Sequence, residues 1–121
     1  MTKPNILTFS VPLLAPSVNH YAKHTRTGRH YVTGEARAFK DAVALYARGR
    51  SVRFDWYSVV VTLTLGPKQK GDIDNFGKLA LDALVDAGVI HSDAKVSCLV
   101  LHKFRGPSPS TAFAVMEGHK A

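Results

Sequence analysis

Apolar and polar residues alternate through ILTFSV, residues 6–11, and the alternation stops at Pro12, which predicts a first strand. The stretch WYSVVVTLTLGP, residues 56–67, is dense in β-branched and aromatic residues and ends on Gly66 and Pro67, the pattern of an interior strand. Two segments switch to helical spacing. Ala36, Phe39, Val43 and Tyr46 recur on one face behind Thr33, an N-cap residue by type, and Gly49 stops a helix over about residues 34–48. From Asn75 onward, Phe76, Leu79, Ala80, Ala83, Leu84 and Ala87 follow the i, i+3, i+4, i+7 rule until Gly88. KVSCLVLHKF and TAFAVME read as two last strands, with RGPSPS between them as a hairpin tip.

The predicted order is therefore β-α-β-α-β-β, an α+β chain with a mixed sheet and helices packed on it. At 121 residues with 45% hydrophobic content, residues 1–121 form one small domain with a core. Residues 12–34 show no stable period and are expected to form a long loop. No apolar run approaches the roughly 20 residues of a membrane span, and MTKPNILTFSVPLL lacks a secretory h-region, so a cytoplasmic protein without membrane partners is expected. Cys98 is the single cysteine; its apolar run VSCLVL predicts a buried thiol and excludes an internal disulfide.

Charge changes the picture. The chain carries a formal net charge of +7, yet residues 71–96 hold five of its nine acidic side chains. Fifteen of the sixteen Lys and Arg residues lie outside residues 72–93, where only Glu35, Asp41, Asp55 and Glu117 oppose them. That excess is a footprint for a polyanion, and without a basic amphipathic helix it points to nucleic acid rather than to a lipid surface.

Within the acidic segment, Asp72 and Asp74 stand two residues apart where a strand's turn feeds a helix. Helix capping is one reading, because a carboxylate there accepts orphan amide hydrogens and opposes the dipole, worth about 1 kcal/mol. The other is a hard-oxygen pair for Mg²⁺. Lys78, one turn past Asp74, is either a surface ion-pair partner or a cation for a scissile phosphate. Asp82 and Asp86 continue the polar stripe and are expected to be solvated, with an i, i+4 pair to Lys78. Local geometry leaves Asp93 apart from the pair, since the intervening helix carries the chain about 20 Å away, unless Asp93 comes from a neighbouring strand or its loop folds back.

The stretch GDIDNFGKLALDALVDAGVIHSD, together with APSVNHYAKHTRTGRHYVTGEARAFKDAV, resembles the RusA family of Holliday junction resolvases found in phages and prophages. The likeness rests on D-x-D-N, a Lys four after the second Asp, a further Asp nineteen after it, and P-S-x-N-x-x-Y near the N-terminus. It implies a Mg²⁺-dependent, structure-selective endodeoxyribonuclease of DNA recombination and repair, with Mn²⁺ as a substitute. It further implies a homodimer whose two sites place paired nicks in a four-way junction. Carried over, Asp72, Asp74 and Asp93 are the metal-binding carboxylates and Lys78 is needed for cleavage. Asn19 and Asn75 of the matching motifs join the expected DNA contacts. One departure stands out: Gly71 occupies the place before D-x-D where the family often has a basic residue, so that the DNA contact expected there is either lost or moved to Lys68 or Lys70. A non-catalytic module binding junctions or single strands is the alternative, against which the presence of all four site residues weighs.

The remaining constellations are weaker. His20, His24 and His30 lack cysteine partners and a common helical face, which argues against zinc. Their loop suits DNA better, with Lys23, Arg26 and Arg29 on phosphates and Tyr21 or Tyr31 free to stack on exposed bases. Trp56 is expected in the core.

Overall fold

The computed structural model describes residues 6–17 and 34–121. Strand β1 (Ile6–Val11) precedes helix α1 (Gly34–Ala47) and strand β2 (Tyr57–Leu65). A 3₁₀ turn (Ile73–Phe76) runs into helix α2 (Gly77–Asp86), and a second 3₁₀ turn (Asp93–Lys95) leads into β3 (Val96–Arg105), followed by β4 (Ser110–Glu117). The α+β order matches the periodicity of the sequence. Thr33 and the histidine-rich stretch with Asn19, Tyr21, Lys23, Arg26, Arg29 and Tyr31 lie outside the described residues.

The four strands form one mixed sheet in the order β1-β4-β2-β3. β2 pairs antiparallel with β4 on one side and parallel with β3 on the other. The expected β3–β4 hairpin is thus incorrect, because β2 lies between the two strands. Alternation along β3 and β4 marks them as strands but says nothing about their neighbours. β2 alternates fully buried and half-buried residues along its whole length, and its Val- and Leu-rich face takes the centre of the sheet. The 106–109 connection, expected as a hairpin tip, instead crosses the end of β2, where the Gly106 amide donates to Leu65 O at 2.9 Å.

Both helices cover the sheet face that carries Leu7, Val11, Val59, Val61, Leu63, Phe113 and Val115, and Phe39, Val43, Ala80 and Leu84 fill the space between. Each such fully buried aliphatic or aromatic side chain stabilises the fold by about 1.5–3 kcal/mol. α2 ends in a Schellman motif: Gly88, at φ 77°, donates to Val85 O at 3.0 Å and Val89 to Leu84 O at 2.9 Å. That turn buries Val89 and Ile90 and sends the chain back toward the start of β3. Thr111 is buried and its hydroxyl is satisfied twice, donating to Leu13 O at 2.8 Å and accepting from the Ala15 amide at 3.0 Å. It fixes the segment after β1 onto β4.

Two core expectations need correction. Cys98 is exposed, because β3 is an outer strand and the side chain falls on the face without helices. Trp56 is half-buried ahead of β2, with the Lys95 ammonium 4.8 Å from its ring centroid; Tyr57 takes the core position instead. The Tyr57 hydroxyl donates to Val52 O at 2.8 Å, leaving it to accept from His91 Nδ1 at 2.7 Å.

Candidate active site

The loop between β2 and the first 3₁₀ turn is held from several sides. The Gly66 amide donates to Gln69 Oε1 at 2.7 Å, and the Gln69 amide returns to Gly66 O at 3.2 Å, closing a tight turn. Arg105 Nη1, from the end of β3, donates to Gly66 O at 2.6 Å and to Gln69 O at 2.8 Å. Lys103 Nζ, two residues earlier on the same strand face, donates to Gly71 O at 2.9 Å. Sequence periodicity did not single out Lys103 or Arg105. Their signal is their spacing: i and i+2 on a strand put two cations on one face.

Gly71 has a physical reason to lack a side chain. A Cβ there would stand 2.5 Å from Phe76 Cζ, and Phe76 is buried in the core. A basic residue at that place would force the Phe76 ring to shift and strain the backbone at φ 156°, and the cation beside it comes from Lys103.

Asp72 follows in an extended conformation (φ −81°, ψ 142°), and its carbonyl accepts from the Asn75 amide at 3.0 Å to start the 3₁₀ turn. Its carboxylate makes no capping hydrogen bond. Phe76 stands at the N-cap position of α2, and no side chain caps that helix. Capping therefore does not account for Asp72, whereas Ser92 caps the second 3₁₀ turn in the ordinary way, its Oγ accepting from the Ala94 amide at 3.1 Å. Asp72 and Asp74 are both exposed, and Asn75 is half-buried behind them. Lys78 is mostly exposed and lies 3.6 Å from Asp82, the i, i+4 pair that the polar stripe predicted. Lys68 and Lys70 are exposed on the same loop.

The fold thus gathers Lys68, Lys70, Asp72 and Asp74 on the connection between β2 and α2, sets Lys78 in the first turn of α2, and adds Lys103 and Arg105 from β3. Asp93 is not among them. It opens the 3₁₀ turn before β3, whose first residue Val96 pairs with Tyr57, whereas Gly71 is tied to Lys103 near the other end of that strand. Val96 and Lys103 are separated by about 23 Å of strand at 3.3 Å per residue. Among the described residues, no three His, Cys, Asp or Glu side chains gather closely enough to hold a metal ion. Asp72 and Asp74 do fit a partial Mg²⁺ shell. They offer uncapped, exposed, hard oxygen donors, and Mg²⁺ commonly takes only one or two carboxylates and keeps its waters.

The family model described as endodeoxyribonuclease RusA matches residues 13–116 of the chain. The chain is 33% identical over 93 residues to the crossover junction endodeoxyribonuclease RusA of Escherichia coli strain K12, covering 74% of this chain and 77% of that protein. It is 32% identical over 84 residues to the crossover junction endodeoxyribonuclease of Enterobacteria phage 82, covering 67% and 69%. The corresponding protein of Shigella sonnei is 31% identical over 93 residues, with 74% and 77% covered.

Proposed function

The chain belongs to the RusA family of endodeoxyribonucleases, and from that premise we propose that it is a crossover junction endodeoxyribonuclease, acting as a homodimer that places paired nicks in four-way DNA. The observation that carries the assignment is the exposed, uncapped Asp72 and Asp74 on a loop braced by Lys103 and Arg105. A carboxylate pair on a surface with this excess of Lys and Arg costs repulsion toward phosphate unless a cation offsets it.

In this reading Asp72 and Asp74 hold a Mg²⁺ ion, for which Mn²⁺ can substitute, and Asp93 is supplied across the dimer as the third carboxylate. Support for that sharing is the separation of Asp93 from the pair along β3 within one chain. Mg²⁺, when bound, supplies Lewis acidity that activates water and offsets charge on the scissile phosphate. Lys78 presents its ammonium one turn along α2 from Asp74, where it steadies charge developing on the phosphoryl oxygens. Lys68, Lys70 and Asn75 hold the DNA backbone beside the site, joined by Asn19, Tyr21, Lys23, Arg26 and Arg29 of the N-terminal segment. No helix among the described residues is long and apolar enough to cross a membrane, and DNA in the cytoplasm is the expected substrate.

Mixed dimers test the reading. Asp74→Asn and Asp93→Asn should each abolish Mg²⁺-dependent cleavage of a fixed-arm junction while binding persists. Dimers carrying one copy of each variant regain one complete site and nick one strand, because the intact Asp72/Asp74 pair of one copy meets the intact Asp93 of the other. Mixed dimers without activity would place all three carboxylates in one chain. Junction binding without cleavage by the wild type would leave only a binding module.

A further inference from the structure

A hollow of about 480 Å³ lies beside the start of β2, lined by Phe54, Asp55, Trp56, His91, Lys95 and Lys120. Its size falls within the roughly 300–1,000 Å³ of ligand sites. The Asp72/Asp74 loop is not part of it: Tyr57 pairs with Val96 at this end of the sheet, whereas Gly71 is tied to Lys103 near the other. Asp93 is its neighbour in the chain, because Asp93 and Lys95 open and close one 3₁₀ turn.

The walls are held from several sides. Buried Tyr57 donates to Val52 O at 2.8 Å and accepts from His91 Nδ1 at 2.7 Å, which fixes the His91 ring. Phe54 packs edge-on against the Tyr57 ring, with centroids 5.7 Å apart. The Gly118 amide donates to Trp56 O at 2.9 Å, and that bond brings the chain after β4, with Lys120, to the rim. Within these walls stand one half-buried indole and two exposed ammonium groups. The Lys95 ammonium lies 4.8 Å from the Trp56 ring centroid. Among the described residues, neither lysine reaches a carboxylate to form an ion pair; that contact belongs to Lys78 and Asp82.

We infer that this hollow holds one unpaired nucleotide of the DNA substrate, its phosphate on Lys95 and Lys120 and its base against the Trp56 ring. The inference rests on the reading of Asp93 above and adds a DNA contact outside the expected set. Three arguments select the ligand. Two lysines outnumber the one carboxylate, Asp55, so the rim favours an anion. An indole beside those cations suits a nucleotide better than a bare phosphate, because every base offers a π-face to stack. Chain continuity supplies the third: a strand whose scissile phosphate reaches Asp93 passes Lys95, two residues away in the same turn. The cation–π contact of an exposed ammonium is weak, whereas an ammonium–phosphate bond is charge-assisted. Lys95 therefore exchanges the ring for the phosphate and frees a ring face for the base. Paired bases hide their faces in the stack, so the occupant comes from a branch point or a single strand.

Trp56 is the chain's single tryptophan, so its fluorescence reports on the hollow without a label. Added to the full-length protein without Mg²⁺, a fixed-arm junction and a single strand should both quench it, and a saturating paired duplex should not. Equal quenching by all three, or none by a bound junction, overturns the nucleotide site. Lys95→Ala and Lys120→Ala, both at exposed positions, should each weaken junction binding and flatten the slope of log affinity against log salt by about 1. Asp55→Asn should tighten binding, because a charge that repels phosphate is removed. Folded lysine variants with wild-type affinity and slope overturn the proposal and leave the endonuclease reading intact. A wild type that binds no junction overturns both. If a lysine variant does not fold, the quenching of the wild type decides.

Discussion

The Lys103 ammonium lies 2.9 Å from the carbonyl of Gly71, so an outer strand of the sheet holds the residue that precedes Asp72. This contact gives Lys103 a positioning role distinct from stability. Lys103→Met should lower single-turnover junction cleavage about tenfold, equivalent to about 1.4 kcal/mol of barrier. The melting temperature should move by no more than about 4 °C, because an exposed contact contributes at most about 1 kcal/mol. Equal losses in both measurements would make Lys103 a merely structural residue.

The uncapped state of Asp72 separates two outcomes that capping would merge. Asp72→Asn and Asp74→Asn should remove cleavage while the melting temperature stays within about 2 °C of wild type, since no cap hydrogen bond is lost. Asp82→Asn is the internal comparison. It breaks only the 3.6 Å pair to Lys78, worth a few tenths of a kcal/mol, and should cleave at near the wild-type rate. Thermal melts alongside cleavage assays check all three.

Thr111 makes the opposite prediction. Thr111→Val leaves the buried Ala15 amide and the Leu13 carbonyl without their partner and should cost about 2–3 kcal/mol in urea unfolding. Thr111→Ser keeps the hydroxyl and should cost less than half of that. Similar midpoints for the two variants would show that volume, not hydrogen bonding, matters at this position.

Lys68 and Lys70 stand exposed beside the carboxylates, and each is expected to neutralise one phosphate. Replacing both by Ala should flatten the slope of log affinity against log salt by about 2, with cleavage at saturating junction near wild type. Titrations between about 50 and 200 mM salt measure it. An unchanged slope would move the DNA path elsewhere.

Gly71→Ala should be costly for a residue on a surface loop. The added methyl meets the ring of core residue Phe76 at 2.5 Å, and overpacking of this kind costs about 1–3 kcal/mol. Chemical denaturation together with cleavage should show both falling, in contrast to Lys103→Met.

What the sequence made legible were features with a local cause. The β-branched run of β2, the helical spacing from Phe76 to Ala83 and the stop at Gly88 each follow from their own neighbours in the chain, and each appears in the fold. The Lys78–Asp82 pair was legible for the same reason. Features set by strand order were not. Cys98 sits in an apolar run that would be buried in a central strand, but β3 lies at the edge, and nothing in VSCLVL says which. Likewise, β3 and β4 follow each other along the chain without pairing, because β2 is the better-buried strand and lies between them. In the site, Asp72 and Asp74 could be placed from their turn alone. The bracing by Lys103 and Arg105 depends on β3 running alongside β2, a contact between residues more than 30 apart in sequence.

The position of β4 governs when this protein can take shape. Its residues pair with β1 on one side and β2 on the other, as where Val115 faces both Leu7 and Val59. During synthesis β1 emerges first and waits for a partner made about a hundred residues later, while the β2–α2–β3 unit that carries Asp72, Asp74 and Asp93 can already close on itself. Folding therefore completes only after residues 110–117 have left the ribosome, and such distant pairing makes it slow relative to a helical chain of this size.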